Sequence, residues 1–110
     1  MTPDELNESK VFEILTFLST TDARFAQAKC DLESAEILRK RVRARQFLEA
    51  DGTAGERQAE AETADDTQAA DDAYIAAKLD FEKLKAHRER GEMLIEVWRS
   101  LEASRRKGMV

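Results

Sequence analysis

One proline and four glycines in 110 residues leave few places where this chain must turn. That scarcity excludes a protein built from many short strands joined by tight turns. A single cysteine, Cys30, excludes an intrachain disulfide and any zinc site made of cysteines, and it fits a reducing, cytoplasmic setting. No apolar run approaches the roughly 18 residues that a membrane-spanning helix needs. The opening MTPDELNESK is polar and acidic, unlike a signal peptide. Aromatic residues make up only 6%, and no glycine-rich phosphate loop occurs.

Chemistry is sparse in the same way. His87 is the only histidine, it stands next to Arg88, and no Glu-x-x-His pair of the di-iron kind accompanies it. The paired acids Asp65-Asp66 and Asp71-Asp72 lack the glycine and spacing of a calcium loop, so a solvated face is expected. Cys30 has no histidine-containing motif that would make it a nucleophile. The expectation is a protein with no catalytic residues, no metal, no cofactor and no small-molecule substrate.

What is present is charge and helical spacing. Charged residues reach 37%, well above the usual quarter. Residues 1–48 hold eight acids and eight bases; residues 49–72 hold nine acids and one base, Arg57; residues 78–110 hold six acids and nine bases. An acidic middle therefore separates a neutral first part from a basic last third.

Thr2 as N-cap, Pro3 at the first helical position and Glu5 completing a capping box predict a helix start, with Met1 and Leu6 able to form a hydrophobic staple. Val11, Ile14, Leu18, Thr21, Phe25, Ala28, Leu32, Ala35 and Val42 then recur in steps of three and four, interrupted by Arg39. Ser19-Thr20-Thr21-Asp22 competes for backbone hydrogen bonds, Ser19 with Asp22 could cap a fresh helix, and the site is a candidate break or kink. Asp51-Gly52 and Gly55 end the helix. The Ala- and acid-rich stretch to Asp72 reads either as an exposed first part of the second helix or as a mobile loop, with Asp71 and Asp72 suited to a helix N-terminus. A second stripe follows: Tyr74, Ala77, Phe81, Leu84, Arg88, Gly91, Ile95, Trp98. Gly91 falls on that stripe and predicts close helix approach.

The expected architecture is all-α. It has helix one over about 3–50, an acidic turn or linker over about 51–71 and helix two over about 72–107, in one domain. Folding back at the turn places residues whose numbers sum to roughly 109 opposite each other, so that Leu18 meets Gly91, Phe25 meets Leu84 and Val11 meets Trp98. The same register sets the 39–45 bases beside the 60–72 acids and Arg105 to Lys107 beside Asp4, Glu5 and Glu8. Around VFEILTFL and MLIEVWRSL the helices are apolar on more than one face, and two helices alone make a small core. A dimer forming a four-helix bundle is expected through Phe12, Leu15, Phe17, Leu18, Leu94, Ile95, Trp98 and Leu101.

Two features bear on partners. RKRVRAR supplies Arg39, Lys40, Arg41, Arg43 and Arg45, and the C-terminal end adds Arg105, Arg106 and Lys107. These are candidate contacts to a nucleic-acid backbone, or bases neutralised by the acidic stretch. The acidic stretch itself is a candidate surface for a basic protein.

The segment MLIEVWRSLEASRRKGMV carries Ile95, Glu96, Trp98, Arg99 and Ser100, followed by Ala103 and the basic pair Arg105-Arg106. Over these 18 or so residues it resembles the C-terminal end of small helical proteins encoded by bacteriophages and prophages. The resemblance implies an accessory role in phage-type DNA metabolism, in recombination or replication, within the bacterial cytoplasm. The expectation is thus a non-enzymatic protein contacting DNA or a DNA-processing protein. The alternatives are a protein–protein interaction module or host-factor inhibitor acting through its acidic arm, and a structural coiled-coil spacer.

Overall fold

The computed structural model describes residues 6–108. Among them every regular element is helical: α1 spans Glu8–Glu49, α2 spans Ala54–Thr63 and α3 spans Asp65–Gly108. Thr2, Pro3 and Glu5, the expected N-terminal cap, lie outside the described residues. Within them α1 is capped by Asn7, whose Oδ1 accepts from the Lys10 N–H at 3.0 Å.

α1 is not broken at Ser19–Asp22. The hydroxyls of Thr16, Thr20 and Thr21 donate to the carbonyls of Phe12, Thr16 and Phe17 at 2.9, 2.8 and 2.7 Å. These side chains bond back to the preceding turn rather than capping a fresh helix, and the helical backbone continues through them.

The break at 50–53 does occur. Gly52 has φ +111°, a conformation that side chains with a Cβ rarely adopt, and a Cβ there would run into the Glu56 side chain. The stretch expected as a turn or linker over 51–71 is instead almost wholly helical, and the second long helix begins at Asp65 rather than near residue 72. Two local causes account for this. Thr53 caps α2 by accepting from the Glu56 N–H at 3.2 Å, and Asp65 and Asp66 occupy the first turn of α3, where the helix dipole favours acids. Ala64, with φ −61° and ψ 142°, is the single extended residue between α2 and α3. Thr67 and Ala70, both buried, carry the three-four stripe of α3 back beyond Tyr74. Small residues rather than large apolar ones make that contact, which is why the sequence leaves both exposed helix and loop open for this stretch.

The chain divides into two compact units. The first combines the start of α1, to Phe25, with α3 from Lys83 onward. Its α1 and α3 segments run antiparallel: Ile14 and Leu18 lie beside Gly91, and Asp22 reaches Arg88. Leu6, Leu84, Leu94 and Ile95 are buried there. A Cβ on Gly91 would sit 3.1 Å from Ile14 Cγ2 and 3.6 Å from Leu18 Cδ2, so glycine sets how closely the helices approach. The second unit, Ala26–Glu82, holds the rest of α1, all of α2 and the start of α3. Its buried side chains are Val42, Ala50, Ala61, Thr67 and Ala70, mostly small. Here too α1 and α3 are antiparallel, with Gln46 near Asp66 and Arg39 against Tyr74.

Candidate interaction surfaces

The bases of RKRVRAR have unlike fates. Arg39 is not a free cation: it is half-buried, with its guanidinium carbon 4.0 Å from the centroid of the Tyr74 ring. Arg43 pairs with Asp71 at 3.3 Å, within the acidic stretch as the charge layout suggested. Lys40 pairs with Glu36 one turn earlier at 3.4 Å. Arg41 and Arg45 remain exposed, one turn apart, with no ion pair to a described residue. At the other end Arg105 bonds Glu102 at 2.9 Å and lies 5.8 Å from the Trp98 ring centroid, while Arg106 and Lys107 are exposed. Asp4 and Glu5, two of the expected partners of that tail, lie outside the described residues.

The set expected to drive self-association also divides. Phe12, Leu15 and Leu101 are exposed, whereas Phe17, Leu18 and Trp98 are half-buried. Leu94 and Ile95 are already buried within their own unit, because each lies one turn beyond Gly91, which faces Ile14 and Leu18 of α1. Those two therefore belong to the interior. Exposed apolar side chains occur where none was named: Met93 in the first unit, and Ile37, Leu38, Leu48, Ile75 and Leu79 in the second.

Two grooves accompany these surfaces. In the first unit, Ile14, Phe17, Ala86, Gly91 and Leu94 floor a groove of about 630 Å³, edged by Glu13, Lys83, His87 and Arg90. In the second, Ala44, Phe47, Leu48 and Ala61 line a groove of about 490 Å³ between α1 and α2, edged by Lys40, Arg43, Gln58 and Glu62.

One residue organises the first unit more than any of the expected site residues. Arg88, with only 13% of its side chain exposed, donates from Nη1 to the Leu18 carbonyl at 2.8 Å and to Thr21 Oγ1 at 2.6 Å. Its Nη2 donates to Asp22 Oδ1 at 2.6 Å, and its guanidinium carbon lies 5.1 Å from the Phe25 ring centroid. The stripes hold the clue. Thr21 and Arg88 are the polar members of otherwise apolar rows, and they fall opposite each other in the register.

Among the described residues, no group of three or more His, Cys, Asp or Glu side chains is placed to hold a metal ion. Cys30 and His87 are exposed. In the second unit, Arg39 Nε, Thr67 Oγ1 and Asp71 Oδ1 are buried without a hydrogen-bond partner. No helix of the described residues is long and apolar enough to cross a membrane. Comparison with protein-family models, curated proteins and solved structures finds no match to this chain.

Proposed function

We propose that the protein is a non-enzymatic interaction module. It is a long antiparallel helical hairpin that self-associates, with two helices from each of two copies forming a four-helix bundle. The observation that carries this reading is the imbalance between interior and surface. Among the described residues, only Leu6, Val42, Leu84, Leu94 and Ile95 of the large apolar side chains are buried, while Phe12 is 72%, Leu48 77% and Ile75 61% exposed. A helix pair with so thin an interior gains from a second copy that covers its apolar faces. Sedimentation equilibrium over a concentration series tests it. The expected mass is about twice 12.5 kDa at roughly tens of micromolar. A monomer that persists to about 1 mM, where only a very weak association would escape detection, overturns the reading.

A second reading rests on Arg41 and Arg45. Exposed, one turn apart and without ion pairs among the described residues, they suit contact with a phosphate backbone. The C-terminal resemblance, with its implied place beside DNA metabolism, points the same way. Two such contacts alone give weak, strongly salt-dependent binding. An anisotropy titration with single- and double-stranded DNA at two salt concentrations decides it. Binding that is lost in Arg41→Glu with Arg45→Glu supports the reading, and no binding at low salt ends it.

A further inference from the structure

We infer that two copies of this chain pair through the groove between α1 and α2, each copy seating its Leu48 in the groove of the other. The inference rests on the self-association reading and names the surface that performs it.

The groove offers both halves of such a contact. Its floor is apolar and shallow-walled because Ala44 and Ala61 carry only a methyl group, with Phe47 beside them. Leu48 stands on its edge at 77% exposed, as exposed as any large apolar side chain among the described residues. A projecting leucine next to a hollow lined by alanines is a knob beside a hole. Among the described residues, none fills either.

The charges identify the occupant. Across this groove α1 contributes Lys40 and α2 contributes Glu62. The chain reverses between the two helices near Gly52, so both residues lie at the end of the groove away from that turn. A two-fold axis running along the groove brings the α1 wall of one copy against the α2 wall of the other, and Lys40 then meets Glu62 of the second copy. A uniformly acidic partner would match only one wall, and so would a basic one; a second copy matches both. The present partner of Lys40 is no obstacle. Its pair with Glu36 is 3.4 Å long between side chains 69% and 44% exposed, and such surface pairs exchange readily.

The test is a dimer dissociation constant measured by sedimentation on the full chain and five variants, each checked for helical content by circular dichroism. Leu48→Asp leaves the fold intact because the side chain is exposed, and it is expected to weaken the dimer at least about tenfold. Lys40→Glu and Glu62→Lys are each expected to weaken it by about threefold or more, and the double variant to return it to within about twofold of the parent. Met93→Asp, at an exposed position of the other unit, is expected to leave it unchanged. A dimer that survives Leu48→Asp but is dispersed by Met93→Asp overturns this surface while leaving self-association standing. Charge reversals that do not compensate overturn the two-fold pairing. A parent chain that never dimerises removes both this surface and the reading beneath it.

Discussion

Replacing Arg88 by alanine tests most directly how the first unit is held together. The side chain is 13% exposed, and its guanidinium makes three short bonds into α1, to the Leu18 carbonyl, to Thr21 Oγ1 and to the exposed Asp22 carboxylate. Hydrogen bonds from a charged donor contribute about 1.5–3 kcal/mol each, and the stem also fills space against Phe25. Offsetting this, the truncation strands few groups. Leu18 O is a helical carbonyl, and Thr21 Oγ1 keeps its bond to Phe17 O at 2.7 Å. The net expectation is a loss of about 2–3 kcal/mol. At roughly 5 °C per kcal/mol for a domain of this size, the melting temperature falls by about 10–15 °C. Asp22 is 70% exposed, so Asp22→Ala should cost under about 1 kcal/mol despite its 2.6 Å pair. Arg88→Met, which keeps the stem, should fall between. Thermal and urea melts followed at 222 nm, at one fixed protein concentration because association shifts apparent stability, supply the numbers. The reasoning fails if Arg88→Ala stays within about 0.5 kcal/mol of the parent, the spread of an ordinary surface substitution, or if Asp22→Ala costs more than Arg88→Ala.

Thr67 is fully buried and its hydroxyl has no partner, so Thr67→Val should raise stability by about 1 kcal/mol in a urea melt; a loss of that size would mean the hydroxyl is bonded. At Gly91, alanine gains about 1 kcal/mol of helix propensity but sets a methyl 3.1 Å from Ile14 Cγ2, so the two effects should nearly cancel. Gly91→Leu overfills the same space and should cost about 2 kcal/mol or more, whereas a neutral result would place Gly91 away from the helix contact. Gly52→Ala should lose about 1–2 kcal/mol, since φ +111° is strained for alanine and Glu56 blocks the space; an unchanged melt would show that the turn relaxes freely.

Much of the architecture is legible from residue order because helical periodicity is local. Among the described residues, positions 11, 14, 18, 21, 25, 28, 32, 35 and 42 of the first stripe are all buried or half-buried, and so are those of the second from Tyr74 to Trp98. The break at Gly52 is legible for the same reason, since only a residue without a Cβ takes that backbone angle at little cost. Residue order leaves 54–71 open between exposed helix and loop because its contacts use Ala61, Thr67 and Ala70, and apolar spacing is conspicuous only when the residues are large. Thr53 followed by Glu56 was a capping signal within that stretch, masked by the two glycines around it.

Partnership across helices is a different matter. Spacing says that Arg39, Arg43 and Arg88 occupy particular turns of their helices. It does not say that Tyr74 lies beneath the first, Asp71 beside the second and the Leu18 carbonyl before the third. Likewise, VFEILTFL and MLIEVWRSL announce surplus apolar surface, but folding chose Leu94 and Ile95 for the interior and left Phe12, Leu15 and Met93 outside. Each of these outcomes depends on which face of one helix meets another across dozens of residues. Chain order carries that information only through the packing itself.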